Sequence, residues 1–154
     1  MNIPNINTTL HFLIVNDNAI QRRVLVQLLK ELGYLEVSEA SNGAMALRSF
    51  HSARAIGAPI HFAMTDCQMP EMDGLTFLMN LRHDETLMYV PVLMITSQAT
   101  EIAILNAMKA GADGYMVKPF TRNKLREKIE KLLHKYELSV RLKNGPMNPT
   151  IERC

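Results

Sequence analysis

The sequence is poor in the residues that build disulfide frameworks and zinc sites, with two cysteines, Cys67 and Cys154, among 154 residues. The two are far apart and form no CxxC pair, so neither kind of site is predicted and a reducing compartment fits. No run approaches the roughly 18 apolar residues of a membrane span, and the N-terminus lacks the basic and apolar regions of a secretory signal. We therefore expect a cytoplasmic protein without membrane insertion.

Charge of one sign is also scarce, because 17 Lys and Arg face 15 Asp and Glu, a net charge of +2. This excess is too small to indicate nucleic-acid binding by itself. The glycine patterns of dinucleotide-binding and P-loop enzymes are absent, which disfavours both classes. Hydrophobic residues make up 47% of the chain, an ordinary value for a globular domain.

Short apolar runs alternate five times with stretches whose apolar residues recur at helical spacing. This alternation predicts an α/β fold, in which a parallel sheet carries helices on both faces. The predicted strands cover residues 10–15, 35–39, 60–65, 90–96 and 115–117.

The helical periodicity stops near Leu138, and Asn144-Gly145-Pro146 and Asn148-Pro149 follow. We therefore predict an N-terminal extension over residues 1–9, one domain over 10–137 and a flexible tail over 138–154 that is too short for an effector domain.

Polar residues follow four of the predicted strands. In open parallel sheets the ligand site lies at the carboxyl ends of the strands, so these residues should converge. Two close carboxylates repel each other, and a hard cation such as Mg²⁺ offsets that repulsion through oxygen ligands. A carboxylate beside Mg²⁺ can attack a phosphoryl donor, while a hydroxyl and an amine contact the transferred group. The residues are Asn16 and Asp17, Asp66, Thr96, and Lys118.

At these positions the sequence resembles the receiver domain of two-component response regulators, of the single-domain, chemotaxis type. The similarity covers roughly residues 10–137 and is carried by Val15-Asn16-Asp17, the segment 65–74, Ile95-Thr96-Ser97 and Lys118-Pro119-Phe120. It implies a flavodoxin-like (βα)₅ fold with strand order 2-1-3-4-5.

The resemblance also implies a role for each site residue. Asp66 would be the phosphoacceptor, contacted by Thr96 and Lys118 once phosphorylated. Mg²⁺ would be held by Asp17, Asp66 and the backbone carbonyl of Gln68.

Asn16 departs from the family, which usually has an acid at this position. An amide can act through a metal-bound water but brings no charge.

The family resemblance further implies a switch and an output surface. Thr96 and Tyr115 would form the switch, and the fourth helix, fifth strand and fifth helix would contact a downstream protein through Ile104, Met108, Tyr115 and Val117. Seven basic residues against two acidic ones between positions 118 and 135 favour an acidic protein partner over DNA.

The sequence thus predicts a response regulator phosphorylated by a sensor histidine kinase or a phosphotransfer protein, whose catalysis is limited to its own phosphorylation and dephosphorylation. Chemotaxis is a candidate pathway. Two alternatives stay open: a receiver-like docking module that is not phosphorylated, favoured by Asn16, and a small phosphatase with an aspartate nucleophile. The phosphatase would require a second acid where this chain has Gln68.

Overall fold

The structure, a computed structural model, describes the backbone of residues 10–144 and the side chains of residues 10–135. Five strands alternate with five helices along the chain, as the hydrophobic pattern predicts. The strands are β1 (His11–Val15), β2 (Glu36–Ala40), β3 (Phe62–Thr65), β4 (Val92–Thr96) and β5 (Gly114–Val117). The helices are α1 (Ala19–Glu31), α2 (Gly43–Ala55), α3 (Gly74–His83), α4 (Glu101–Ala110) and α5 (Arg122–Asn144).

Every pair of neighbouring strands is parallel, and the order in the sheet is β2-β1-β3-β4-β5, which confirms the predicted topology. The order of the strands in the sheet departs from their order in the sequence at β1, which lies between β2 and β3. Every residue of β3 and β4 is buried, as expected for strands covered on both faces.

Two hydrophobic clusters fill the space on the two faces of the sheet. One, the α2–α4 cluster, packs side chains of α2, α3 and α4 against the sheet and includes Phe50, Phe77 and Leu81. The other, the α1–α5 cluster, packs α1 and α5 against the opposite face and includes Phe12, Leu29 and Ile129. The alternation of side chains along each strand supplies both clusters.

Side-chain caps fix where the helices begin, and so fix the ends of the loops around the sheet. Asn18, Asn42, Asp73 and Thr100 each accept a hydrogen bond from a backbone N–H in the first turn of α1, α2, α3 and α4. Such a cap stabilises a helix by about 1 kcal/mol. These polar loop residues therefore stabilise the helices that follow them.

The last helix is longer than the sequence pattern indicated. We expected it to end near residue 137, but α5 continues to Asn144, so the first seven residues of the predicted tail are helical. The remainder of that tail and the predicted N-terminal extension, residues 1–9, lie outside the described residues. Within the part of the chain that is described, no helix is both long and apolar enough to cross a membrane.

Candidate phosphoacceptor site

The backbone brings the predicted site residues to one edge of the sheet. Asn16, Asp66 and Lys118 each follow a strand directly, and each donates its backbone N–H to a carbonyl of the neighbouring strand. The acceptors are Ala40 at 3.0 Å, Val15 at 3.0 Å and Thr96 at 2.9 Å. The sheet ladders therefore extend one residue into the site and fix the Cα positions from which these side chains project.

Asp66 lies near the centre of this edge, at the end of β3, and its side chain is only 16% exposed. Its Oδ1 accepts a hydrogen bond from the backbone N–H of Cys67 at 2.6 Å. Its Oδ2 forms an ion pair with Nζ of Lys118 at 3.0 Å. The carboxylate is thus oriented by a neutral donor on one oxygen and a cation on the other.

Lys118 and Asn16 are connected through a residue that the sequence analysis missed, Gln21 in the first turn of α1. Its Oε1 accepts hydrogen bonds from Lys118 Nζ at 2.8 Å and from Asn16 Nδ2 at 2.9 Å. The Oδ1 of Asn16 accepts the N–H of Asn18 at 2.8 Å. Both polar atoms of the Asn16 side chain, which is almost fully buried, are therefore satisfied.

A second set of hydrogen bonds connects Thr96 and Tyr115 through the backbone of Gln98. Thr96 is 1% exposed, and its hydroxyl accepts the N–H of Gln98 at 3.3 Å. The hydroxyl of Tyr115 donates to the carbonyl of Gln98 at 2.6 Å. Burial, with smaller contributions from the neighbouring Cys67 and Asp66, raises the pKa of Tyr115 to about 12, so the phenol stays protonated. Residues Thr96 and Tyr115, predicted as a switch, thus bond to the same backbone segment.

Cys67 packs beneath the site instead of facing solvent. Its burial raises the pKa of the thiol, and the charge of Asp66 acts in the same direction, while hydrogen bonds with Thr96 and Tyr115 partly oppose this. A thiol held in its neutral form is a poor nucleophile. Cys67 therefore serves as a packing residue at this position.

The loop between β3 and α3 approaches Asp66 so closely that only glycine fits at position 74. A Cβ there would overlap the Asp66 carbonyl oxygen, and the Gly74 N–H donates to the carbonyl of Cys67 at 2.8 Å. The same loop is tied to the start of α2, where the side chain of Asn42 donates to Glu71 at 3.3 Å. The close approach of the backbone therefore explains why position 74 is a glycine.

The carboxylate and carbonyl oxygens at this edge are the kind of hard ligand that Mg²⁺ prefers. Asp17 and Gln68 are exposed and come shortly after β1 and β3, so a second carboxylate and a backbone carbonyl lie on the same edge of the sheet as Asp66. Among the described residues, no group of three or more His, Cys, Asp or Glu side chains is arranged to hold a metal. A third ligand from the backbone, as the sequence analysis expects, is compatible with that finding.

The residues predicted to contact a downstream protein belong to α4 and β5 and lie on the surface that these elements form with α5. Met108 is 46% exposed, whereas Ile104, Tyr115 and Val117 are half-buried. The most exposed apolar side chains of α4 are instead Ile102 and Leu105, which the sequence analysis did not single out.

Between β5 and α5 lies a groove of about 560 Å³. Apolar and charged side chains line it, among them Tyr115, Val117, Phe120, Lys124, Glu127 and Lys128.

Comparisons with known proteins agree with this geometry. A family model described as the response regulator receiver domain matches residues 12–130. The chain is 42% identical over 123 residues to the chemotaxis protein CheY of Pseudomonas aeruginosa, covering 80% of this chain and 95% of that protein. It is 39% identical over 130 residues to the chemotaxis protein CheY-3 of Vibrio cholerae, covering 84% and 96%.

A solved structure is similar over the same region. It is the receiver domain of a sensor histidine kinase from Pseudomonas aeruginosa, with a magnesium ion coordinated in its active-site cleft. The TM-score is 0.72 and the identity 28%, covering 81% of this chain and 98% of that one.

Proposed function

Because this chain belongs to the response regulator receiver family, a family of two-component signalling proteins, we propose that Asp66 accepts a phosphoryl group from a histidine kinase or phosphotransfer protein. The observation that supports this best is the environment of Asp66. Its carboxylate is oriented by Cys67 and Lys118 at an accessible edge of the sheet. A nucleophile needs this combination of fixed orientation and access.

The residues around Asp66 suit the charge that phosphorylation creates. A phosphoryl group on the carboxylate brings roughly −1.5 to −2 charges where one negative charge was before. The Lys118 ammonium, already paired with Asp66, can contact the new phosphoryl oxygens, and the Thr96 hydroxyl can donate a hydrogen bond to them. These roles make Asp66, Thr96 and Lys118 the residues that carry the reaction.

Asp17, Asp66 and the backbone carbonyl of Gln68 would hold Mg²⁺, with Asn16 acting through water. When bound, the ion neutralises charge on the incoming phosphoryl group. The structure of the related sensor-kinase receiver domain, with magnesium in its cleft, supports this assignment. The protein's chemistry is limited to its own phosphorylation and dephosphorylation, so it is a signalling protein and not a classical enzyme.

We propose that the phosphorylated form signals to a protein target through the surface of α4, β5 and α5, in the cytoplasm and without direct contact to DNA. Ile104, Met108, Tyr115 and Val117 contribute the apolar part of this surface. The basic residues of α5 favour an acidic target. The similarity to two chemotaxis proteins supports chemotaxis as the pathway.

A docking module that is not phosphorylated is the alternative, and Asn16 is the observation in its favour. The missing carboxylate weakens the attraction of the site for a cation, without which phosphoryl transfer would be slow.

Intact-mass analysis after treatment with acetyl phosphate and Mg²⁺ tests the proposal. We expect one phosphoryl addition to the native protein and none to Asp66→Asn. Asp73→Asn is the matched control, because Asp73 lies in the same loop and Asn is an equally good helix cap. It should still be modified. Labelling that survives Asp66→Asn would contradict the assignment, and a native protein that takes up no phosphoryl group from any donor would favour the docking module.

A further inference from the structure

Gln21 occupies a position between the buried amide of Asn16 and the charged end of Lys118. From this geometry we infer that Gln21 is a positioning residue for Lys118, and that the amide at position 16 is its required partner. The inference rests on the proposed function, because Lys118 is assigned there as the phosphoryl contact. It concerns the side chain that orients this cation before phosphorylation.

The hydrogen bonds around Gln21 allow one arrangement only. A lysine ammonium has donors and no acceptor, so Gln21 must turn its carbonyl oxygen toward Lys118. The same oxygen lies 2.9 Å from the side chain of residue 16, which must therefore donate. Asn16 can do so through Nδ2, and its Oδ1 is already occupied by the N–H of Asn18.

An aspartate in place of Asn16 would disrupt this arrangement. The second oxygen of the new carboxylate would face the Gln21 oxygen, and neither atom has a proton to donate. If Gln21 turned its NH₂ group toward that carboxylate, the same group would point at Lys118 and the ammonium would lose an acceptor. Asn16 and Gln21 are thus a matched pair, which gives the departure from the family at position 16 a physical role.

The effect on Lys118 is a restriction of its motion. A lysine side chain is long and loses considerable rotamer entropy when held in one geometry. Gln21 and Asp66 together bind two of its three N–H donors, at 2.8 and 3.0 Å. The third donor is left for an incoming phosphoryl oxygen, so the ammonium is oriented before the donor arrives.

The test compares Gln21→Leu with Gln27→Leu, a matched substitution near the other end of α1 at an exposed position. We expect Gln21→Leu to lower the rate of phosphorylation by acetyl phosphate about three- to tenfold, as loss of one hydrogen bond of ordinary strength implies. Gln27→Leu should leave the rate unchanged. Equal rates in the two variants would overturn the inference.

Rescue distinguishes positioning from a general structural effect. In the native background, Asn16→Asp removes the donor that Gln21 requires. In the Gln21→Leu background, the same carboxylate can pair with Lys118 directly. With Mg²⁺ saturating for every variant, we therefore expect Asn16→Asp to lower the rate in the native background and to raise it in the Gln21→Leu background, whereas purely additive effects would contradict the matched pair.

A second measurement does not depend on phosphorylation. In NMR spectra of the unphosphorylated protein with labelled lysine, the two Hε protons of Lys118 should give separate signals while the side chain is held. They should merge in Gln21→Leu and stay separate in Gln27→Leu. If this difference appears while the native protein takes up no phosphoryl group, the proposed function fails and the positioning role stands. Identical Hε signals in both variants overturn the positioning role alone.

Discussion

Asn16 stands where the family resemblance leads us to expect an acid, and its side chain is almost fully buried at the sheet edge. Replacing it by aspartate adds a carboxylate beside Asp17 and Asp66, which increases the attraction for a divalent cation. We predict that Asn16→Asp tightens Mg²⁺ binding by about tenfold, or ~1.4 kcal/mol, in titrations of the metal-free protein.

Asn80→Asp serves as the control for that titration, because it adds the same charge on the exposed surface of α3. It should leave the affinity nearly unchanged, since exposed charges more than about 10 Å apart are largely screened. Equal affinity of the native protein and Asn16→Asp would show that the amide costs no metal binding.

His61 is a titratable residue at the opposite end of the sheet from Asp66, and its protonation affects the stability of the fold. Its Nδ1 accepts the backbone N–H of His11 at 3.0 Å. Burial, assisted by the nearby His11, lowers the pKa of His61. The unfolded chain therefore binds a proton at His61 at a higher pH than the folded protein does.

The free energy of unfolding should consequently decrease as the pH falls below about 6.5, the ordinary histidine value, until the folded pKa is reached. His61→Asn keeps an acceptor near the position of Nδ1 but cannot titrate, so it should remove this part of the pH dependence. His134→Asn, at an exposed position on α5, should retain it. Urea unfolding of the three proteins between about pH 5 and pH 8 measures the difference. Parallel curves for the native protein and His61→Asn would contradict the assignment.

The site residues with characteristic chemistry were predictable from the sequence, whereas Gln21, whose chemistry is ordinary, was not. Asp66 and Lys118 follow strands and match a family motif, and the structure pairs them. Gln21 has no such signature, because a glutamine in the first turn of a helix is common on protein surfaces. Its contact with Lys118 spans 97 positions of sequence, so only the folded chain reveals it.

Strands β1, β3 and β4 were predictable because they are apolar almost throughout, and the first four helices because their apolar residues recur at helical spacing. The end of α5 was not predictable in this way. Its apolar spacing weakens near residue 138, yet the helix continues to Asn144. Glycine and proline at 145 and 146, just outside the described residues, are the sequence signals that favour a helix end there.

Helix α4 is the least anchored of the helices whose side chains are fully described, since Ala107 is its one buried residue. Glu101 and the Thr100 cap stabilise its first turn, while Ile102, Leu105 and Met108 remain exposed. A helix with so little buried surface can shift at low cost. This favours α4 as the element that responds when the contacts of Thr96 and Tyr115 change.

We predict that beryllofluoride with Mg²⁺, a phosphoryl analogue, shifts amide NMR signals within residues 100–118 as well as at the sheet edge. Drawing the Thr96 hydroxyl toward the analogue would disturb its bond to Gln98, and with it the bond from Tyr115 to the same residue. Asp66→Asn should show no such shifts. Changes confined to the edge itself would refute the proposed coupling.

Arg82 links α3 to the segments that precede β4 and β5, and so holds distant parts of the chain together. Its guanidinium donates to the carbonyls of Met88, Val90 and Gly111 at 2.7 to 3.0 Å, and pairs with Asp113 at 2.7 Å. Burial lowers the pKa of Arg82, which the charge of Asp113 partly opposes. One side chain thus satisfies three backbone carbonyls and a carboxylate.

Arg82→Met preserves most of the aliphatic stem but leaves these acceptors without their donor. We predict a loss of about 2–3 kcal/mol in the free energy of unfolding, measured with urea. Arg48→Met, at an exposed position on α2, should change it by less than about 0.5 kcal/mol. A small loss for Arg82→Met would mean that water replaces the guanidinium at these carbonyls.

The division of the core into two clusters has a consequence for the order in which the protein forms during its synthesis. The buried residues of the α2–α4 cluster end at Ala112, whereas those of the α1–α5 cluster extend to Leu133. At about 5–20 residues per second, the ribosome needs ~1–4 s for the roughly 20 residues between them. During that interval Phe62, Leu93 and Ile95 lack one of the two helices that cover them in the folded protein. The nascent chain therefore exposes part of this face of the sheet until α5 emerges, and it is the face that we expect chaperones to cover.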